Sequence, residues 1–445
     1  MAIDPVLRVP WGLGEHLRSL LHQEPFQERF LFAVARPLRT ASPNVHVSLL
    51  EQLLSVGEED CDYATPGGLR LTLNASNRVN QWSVQLAQKG WIAVHLHSHP
   101  RGVDKFSATD DDAESALSLW LAQQGVSQFW SLVWPTGGVP QARLWTNGAA
   151  VTGKIYLGLA LMSPDAGDTA LSLDRQKAFG PGLQTAAERL RVGILGVGGI
   201  GMLALEQLAR AGFRRFVLVD PDIIEVTNLN RLPGVAGRDL GKRKVNVGKR
   251  MIRMIATSLG HTAEVSAYPR DIYQSEAAQR ALTVCDLILA VTDNELSRTM
   301  ALQLALEAGR EYLQAGTDIT LGEDGAIVGL RAEVTGAEVG RYCPICLGRL
   351  SPAQAAIEAR TYAGGVVATQ ARSAGYLPDV ASPAVMGLNA VAAGMLVTEI
   401  QRRCAGIGAR DYMQLDLQSS WISVQDQVTP GHDCEVCGAR RGPDG

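Results

Sequence analysis

Two histidines and an aspartate have the types and spacing of a catalytic metal site. His97 and His99 lie two residues apart in the stretch WIAVHLHSHP, and residues two apart on a strand share one face. Asp110 begins a stretch that is predicted to be helical, so its carboxylate can supply a third ligand. Three protein ligands leave the fourth tetrahedral position of zinc for water, which is typical of catalytic zinc sites.

The same residues also have a purely structural interpretation. Ser107-x-x-Asp110 alone is a helix-capping pattern, and two histidines on a strand are more often structural than catalytic. The full string, HSHP followed by six residues and then SxxD, resembles the hallmark of the JAMM (MPN/Mov34) metalloproteases. This resemblance implies that His97, His99 and Asp110 bind zinc and that Ser107 helps to stabilise a tetrahedral intermediate. Members of that family cut peptide or isopeptide bonds after the C-terminal glycine of ubiquitin-like proteins.

A zinc peptidase also needs a carboxylate that accepts and returns a proton. In the JAMM family this general base is a glutamate near the start of an early strand. Glu28 precedes the apolar stretch FLFAVA and is the predicted base, with Glu51 and Glu24 as rivals. His95 faces the same side of its strand as His97 and is interpreted as a supporting or core histidine.

A second group of candidate functional residues begins at a glycine-rich turn. The string GVGGIG follows the apolar strand RVGILGV and opens a helix, as in turns that bring backbone amides close to a phosphate. Its glycines are Gly196, Gly198, Gly199 and Gly201. The turn alone is a weak signal, because it equally fits a nicotinamide-dependent dehydrogenase. Asp220, at the end of the next strand, could hold ribose hydroxyls in either case.

The residues after Asp220 favour adenylation over hydride transfer. Arg231, Lys244 and Asp293 lie in the strings NLNR, GKRK and TDN. Cations offset the charge that develops on an α-phosphate and its leaving pyrophosphate, and a carboxylate can hold magnesium. A dehydrogenase does not need cations and a carboxylate gathered around a triphosphate. In adenylation, the terminal carboxylate of the substrate is itself the nucleophile.

These strings resemble the ThiF/MoeB and ubiquitin-activating enzyme superfamily, whose pattern is GxGGxG, DxDxVxxxNLxRQ, GxxKV and a DN pair. The resemblance implies that Asp220 binds ribose, that Asn228, Arg231 and Lys244 meet the phosphates, and that Asp293 holds magnesium. Asp174-Arg175-Gln176 resembles the family's upstream RQ motif, whose arginine enters the partner's ATP site in a homodimer. Leu232 stands where the family has glutamine.

Two CxxC pairs have the spacing of paired zinc knuckles and predict a structural four-cysteine zinc site. Its ligands are Cys343, Cys346, Cys434 and Cys437. Enzymes that pass ubiquitin onward hold it as a thioester on a cysteine after the first knuckle, yet residues 347–403 contain none. Cys61, Cys285 and Cys404 are interpreted as structural. The chain is therefore expected to stop at the acyl-adenylate or to pass it directly to a separate nucleophile.

The elements that must position these residues fall into two α/β domains. Residues 1–162 are predicted to form a JAMM-type metalloprotease domain, and 163–172 (SPDAGDTALS) a polar, turn-rich linker. Residues 173–445 alternate strands with helices, which predicts a Rossmann-like, mostly parallel, doubly wound adenylation domain.

Composition narrows the possible partners and compartments. The chain of 445 residues is 46% hydrophobic and 19% charged, as in globular proteins, and its net charge of -4 indicates neither a nucleic-acid nor a membrane partner. No apolar run is long enough to span a bilayer, and the start lacks the basic region of a secretory signal. A cytoplasmic protein is expected.

The sequence therefore predicts a bifunctional enzyme that uses ATP, magnesium and two zinc ions. One half would adenylate the C-terminal glycine of a ubiquitin-like or sulfur-carrier protein, with a conjugating enzyme as a further possible partner. The other would expose that glycine or remove a conjugate. The alternatives are adenylation of a small peptide or amino acid in natural-product or defence chemistry, a JAMM half that only docks ubiquitin-like folds, and a nicotinamide oxidoreductase.

Overall fold

The computed structural model divides the chain into two compact units, Met1–Asp165 and Ala166–Arg440. The described residues are 4–23, 26–42, 44–54, 56–100, 105–162, 171–339, 341, 343–363, 384–419, 421–425, 434 and 436–437. Most of the predicted linker 163–172 and the rival base Glu24 lie outside them. No helix in the described part of the chain is long and apolar enough to cross a bilayer.

The N-terminal unit is built on a sheet of eight described strands, with a separate two-stranded hairpin. The sheet order is β1-β3-β2-β6-β7-β8-β9-β10, and β1 also pairs with β9, so that seven of the strands form a closed ring. The elements are β1 (Asp4–Val9), α1 (Trp11–Leu21), β2 (Phe30–Leu38), β3 (Val45–Leu54), β4 (Cys61–Thr65), β5 (Gly68–Leu71), α2 (Leu73–Gln88), β6 (Ile92–His99), α3 (Ala108–Gln123), β7 (Gln128–Pro135), β8 (Gln141–Thr146), β9 (Ala149–Leu157) and β10 (Ala160–Leu161).

Strand β6 carries His97 and His99, the two predicted zinc-binding histidines, and is central in this sheet. It pairs antiparallel with β2 and parallel with β7, so both of its edges are hydrogen-bonded. Apolar side chains fill both faces: Trp130 and Leu17 belong to one cluster, and Phe32 and Leu121 to another. A strand held on all sides gives its side chains fixed positions, as a catalytic site requires.

The C-terminal unit has a second sheet of eight described strands in the order β13-β12-β11-β14-β15-β16-β17-β18. The first five are parallel, in the 3-2-1-4-5 order of a Rossmann fold, which confirms the predicted fold class. The last three are antiparallel, an extension that the sequence analysis did not predict. The strands are β11 (Arg191–Leu195), β12 (Arg215–Val219), β13 (Glu264–Tyr268), β14 (Leu287–Ala290), β15 (Glu311–Leu321), β16 (Ile327–Ala337), β17 (Tyr412–Asp416) and β18 (Trp421–Gln425).

Seven α-helices lie in the described part of this unit. They are α4 (Gly180–Arg189), α5 (Gly199–Arg210), α6 (Lys244–Ser258), α7 (Glu276–Thr283), α8 (Glu295–Ala308), α9 (Pro352–Ala363) and α10 (Met386–Cys404). Strand β11 pairs with β12 on one side and β14 on the other, so the strand order reverses there. In open α/β sheets, ligands bind at the carboxyl ends of the strands beside such a reversal.

A buried carboxylate organises the long loop between β12 and α6. Asp239 is fully buried and accepts hydrogen bonds from both Nη atoms of Arg250, at 2.7 and 2.9 Å, and from Lys242 Nζ at 3.0 Å. The Arg250 guanidinium holds the pKa of Asp239 well below its usual range. The pair therefore attaches the loop that carries Asn228 and Arg231 to α6.

Replacing this carboxylate should loosen the loop. Asp239→Asn removes the charge that Arg250 and Lys242 share, and we expect a loss of about 2 kcal/mol in the free energy of unfolding, measured with urea at pH 7. The folded-state pKa is depressed, so the stabilisation is present at neutral pH and is lost as pH falls through that pKa. Glu276→Gln, which alters an exposed ion pair with Arg280, is the control. Equal losses in both variants would contradict this role.

Candidate functional sites

The structure brings His97, His99 and Asp110 together in the N-terminal unit. The Nε2 atoms of the two histidines are 3.2 Å apart. Asp110 Oδ1 lies 3.4 Å from His97 Nε2, and Asp110 Oδ2 lies 3.6 Å from His99 Nε2. Burial alone would raise the pKa of Asp110, but hydrogen bonds from both histidines outweigh it and hold that pKa well below its usual range.

These distances fit a zinc ion. Ligands that bind zinc at about 2.1 Å in a tetrahedron stand about 3.4 Å from one another. The three side chains match that spacing and form a group that could hold a metal ion. Two imidazoles and one carboxylate are also a donor set that zinc prefers, and they leave one position open.

Ser107 has the capping role that the alternative interpretation gave it. The Ser107 amide donates to Asp110 Oδ2 at 2.7 Å and the Asp110 amide donates to Ser107 Oγ at 3.2 Å, which forms a capping box at the start of α3. The Ser107 hydroxyl also donates to Asp110 Oδ2 at 2.7 Å. The pair fixes the carboxylate that faces the histidines. The role of Ser107 toward a tetrahedral intermediate stays a prediction.

Glu28 lies beside the metal-site residues. Burial raises the pKa of its carboxyl, His97 and His99 act electrostatically to lower it, and Asp110 raises it. The backbone of the segment is fixed from two sides: the Glu28 amide donates to Thr65 O at 3.1 Å, and the Arg29 amide donates to Ser98 Oγ at 2.9 Å. The rival Glu51 is instead paired with Arg36 at 2.6 Å.

Two further residues of β6, Ser98 and His95, lie near the two predicted zinc-binding histidines. Ser98 is buried and its amide also donates to Arg29 O at 2.9 Å, so it attaches the Glu28 segment to the strand of the histidines. The sequence analysis did not single it out, although its place between two ligands was a signal. His95 packs against the rings of Phe30 and Phe129, and burial lowers its pKa to about 4, as expected of a core histidine.

The glycine-rich turn of the C-terminal unit leaves almost no room for side chains. Gly196 has φ +96°, and a Cβ there would lie 2.9 Å from the backbone of Val291 and Thr292. A Cβ at Gly201 would lie 1.9 Å from Gly196 O. At Gly198 a Cβ would meet no atom within 4 Å, so the turn is open on one side to a ligand.

Asp220 closes the turn from the end of β12. It is 5% exposed and its Oδ2 accepts from the Val197 amide at 2.6 Å, while Oδ1 accepts from the Asp222 amide at 2.8 Å. Burial raises its pKa, and nearby Lys244 lowers it. Lys244 begins α6 and also donates to Asp222 Oδ2 at 2.7 Å. The predicted ribose ligand is therefore also a structural part of the turn.

Two of the other predicted nucleotide residues, Arg231 and Asp293, lie near the same turn. The aliphatic Cδ of Arg231 lies 3.8 Å from the position that a Cβ on Gly199 would occupy, near the start of α5, while the guanidinium of Arg231 donates to Thr227 O. Asn228 is buried, and its Oδ1 accepts from the Glu225 amide at 3.1 Å. Asp293 is exposed and follows Thr292, whose amide abuts Gly196.

Arg175 lies in a 3₁₀ segment (Leu171–Phe179) and is exposed. Three further cations have structural partners. Lys242 Nζ donates to Asp239, Arg243 Nη1 to Pro221 O, and Arg298 to the carbonyls of Thr292 and Ala315. Leu232 is buried.

The four predicted knuckle cysteines converge. The Sγ atoms of Cys343 and Cys346 are 3.7 Å apart, those of Cys343 and Cys434 3.6 Å, and those of Cys346 and Cys437 3.3 Å. Thiolates that bind zinc at about 2.3 Å in a tetrahedron stand about 3.8 Å apart, so four cysteines fit a closed structural site. Burial raises the thiol pKa values of Cys285 and Cys404, which keeps both unreactive.

Fold and site together define a nucleotide-binding Rossmann unit with a glycine-rich turn, a partly buried lysine and a four-cysteine group. The chain belongs to the ThiF family, whose model matches residues 172–435. That match does not extend to the histidine-aspartate group of the N-terminal unit.

Curated relatives share only part of this chain. It is 31% identical over 131 residues to a sulfur carrier protein adenylyltransferase of Thermus thermophilus, covering 29% of this chain and 46% of that protein. It is 24% identical over 147 residues to SUMO-activating enzyme subunit 2 of Dictyostelium discoideum, covering 33% and 22%. The chain spans less than half the length of either relative. Among solved structures, Escherichia coli MccB with ATP is 19% identical, with a TM-score of 0.46, over 61% of this chain and 75% of that one.

Metal analysis tests both ligand sets. We expect two zinc ions per chain, because two groups have the donors and spacing for one each. Cys434→Ser and His99→Ala should each lower the zinc content, measured by inductively coupled plasma mass spectrometry, by one ion. Only the cysteine variant should also lower the thermal midpoint markedly, since a closed site stabilises the fold. A wild-type protein without zinc after purification in zinc-containing buffer would contradict both assignments.

Proposed function

We propose that the ThiF-family unit adenylates the C-terminal glycine of a ubiquitin-like or sulfur-carrier protein with ATP. The observation that carries this proposal is the gathering of separate motifs around one glycine-rich turn. The aliphatic Cδ of Arg231 lies near the start of α5, and Lys244 lies close enough to Asp220 to lower its pKa. The Thermus relative is a sulfur carrier protein adenylyltransferase and the Dictyostelium relative is a SUMO-activating enzyme subunit, which supports the choice of substrate.

The reaction needs charge stabilisation more than a protein nucleophile. An oxygen of the terminal carboxylate attacks the α-phosphorus and forms a mixed anhydride, and the bond to the β-phosphate breaks so that pyrophosphate leaves with its electron pair. Arg231 and Lys244 would offset the negative charge that develops. Magnesium, when bound, neutralises phosphate charge, and the exposed carboxylate of Asp293 beside the turn is suited to hold it. Arg175 would serve the ATP site of a second copy in a homodimer.

A second candidate is the adenylation of a small peptide. It is favoured by the absence of cysteine from residues 347–403, since a peptide product needs no thioester intermediate. Mass spectrometry of the AMP-linked product distinguishes a peptide from a folded carrier.

ATP–pyrophosphate exchange tests the adenylation. With a diglycine-ended carrier, Lys244→Ala should lower the exchange rate by about 10²- to 10³-fold, because one donor to the developing charge is lost. Arg210→Ala, at the other end of α5 in an exposed pair with Glu206, should leave it unchanged. If the folded wild type exchanges pyrophosphate with no diglycine-ended carrier, the proposed substrate class is wrong.

We also propose that the N-terminal unit is a zinc peptidase that exposes or releases the same C-terminal glycine. Zinc, when bound by His97, His99 and Asp110, supplies Lewis acidity at the scissile carbonyl. Burial raises the pKa of Glu28 beside these ligands, which suits a group that takes a proton and returns it to the leaving amine. One chain with both activities would raise the effective concentration of the matured tail near its activator.

A pair of glutamate variants tests the peptidase assignment. Glu28→Gln should abolish cleavage of a carrier extended beyond its terminal glycine, measured by gel and mass spectrometry, while the zinc content stays unchanged. Glu51→Gln should retain cleavage, because Glu51 is committed to Arg36. If only Glu51→Gln loses cleavage, the general base is Glu51 and not Glu28. A wild type that binds carriers but cleaves none would instead indicate a docking module.

A further inference from the structure

Helix α10 brings a buried asparagine to the start of α5. Asn389 is only 4% exposed. Its neighbours on the helix, Leu388 and Ala392, pack in an apolar cluster with Ile200 of α5 and Ala332 of β16. The side chain is therefore held rigidly, and no motif in the sequence indicated it.

The amide group of Asn389 points at the glycine-rich turn. Its Nδ2 lies 2.3 Å from the position that a Cβ on Gly199 would occupy, so the two residues fit together only because residue 199 has no side chain. Its Oδ1 accepts a hydrogen bond from Thr317 Oγ1 at 3.3 Å. With the oxygen engaged by Thr317, the NH₂ group is directed toward the first turn of α5.

This arrangement places the NH₂ group of Asn389 next to the backbone amides that begin α5, and both are hydrogen-bond donors. The first amides of a helix have no partner within it, and no side chain caps α5 at Gly198. No hydrogen bond from Asn389 Nδ2 is seen in the described part of the chain, although the oxygen of the same amide is engaged by Thr317. The aliphatic Cδ of Arg231 lies near the same glycine, while the guanidinium of Arg231 donates to Thr227 O. A donor on a buried side chain beside the positive end of a helix favours an anionic acceptor. An anion at this point would accept from Nδ2 and from the first amides of α5.

We propose that Asn389 donates a hydrogen bond from Nδ2 to the α-phosphate of bound ATP, where the mixed anhydride forms. This inference rests on the proposed adenylation and adds a residue from α10 to the site. Thr317 is the positioning residue, since its hydroxyl fixes which way the amide faces. The opposing explanation is that Asn389 only packs against Gly199, in which case a side chain of the same shape would be sufficient.

Asn389→Asp separates the two explanations, because aspartate keeps the shape and the acceptor but has no donor and adds a negative charge. Calorimetry would compare ATP and adenosine binding in the wild type, Asn389→Asp and Asn389→Ala, without a carrier protein. We expect ATP affinity to fall by about 10- to 100-fold in both variants while adenosine affinity is kept, since only a bond to the charged phosphate is lost. Retained adenosine affinity also shows that each variant is folded.

The results also separate this inference from the adenylation proposal. Wild-type ATP affinity in Asn389→Asp, with exchange activity intact, would overturn the role of Asn389 and leave adenylation standing. Equal losses for ATP and adenosine would also overturn it, because a packing role predicts them. A wild type that binds no ATP would remove both proposals. Thr317→Val should lower ATP affinity less than Asn389→Ala does. The adenosine affinity of Thr317→Val should equal that of the wild type.

Discussion

The contact between Gly196 and Gly201 is the constraint on which the nucleotide-binding half depends. Because a Cβ on residue 201 would lie 1.9 Å from Gly196 O, the chain can pass directly from β11 into α5 only with glycine at that position. The hydrogen bond from the Val197 amide to buried Asp220 then holds this turn against the end of β12. The open side at Gly198 and the positive end of α5 follow from that geometry.

Functional residues that lie close together in the sequence, in short motifs, were predictable. His97 and His99 share a strand face, Asp110 begins a helix, and each CxxC pair lies within one turn of chain. The alternation of strands and helices also predicted the parallel part of the second sheet. Local chain geometry brings together the two members of each short motif. The contacts of Cys343 with Cys434 and of Asp110 with the histidines depend on tertiary packing, and they were expected only because the complete motifs resemble known families.

Residues that meet through tertiary packing were not predictable. Asn389 reaches Gly199 only because α10 packs against α5, and nothing in its local sequence distinguishes it from a core asparagine. The antiparallel strands β16 to β18 depend in the same way on pairing between distant segments. Arg298 follows the predicted magnesium ligand Asp293 by five residues, yet it donates to the carbonyls of Thr292 and Ala315. Charge and spacing alone cannot show that a cation is already engaged.

The two metal-ligand groups differ in the property that separates structural from catalytic zinc. Four thiolates complete a tetrahedral shell, and they lie in the apolar cluster that includes Leu350 and Tyr312, so such a site has no position for a substrate. Two imidazoles and Asp110 leave one position open, beside Glu28, a carboxyl whose pKa burial raises. Each group is made of residues from one unit alone. Loss of one metal should therefore leave the other ligand set intact, so the two proposed roles can be separated by mutation.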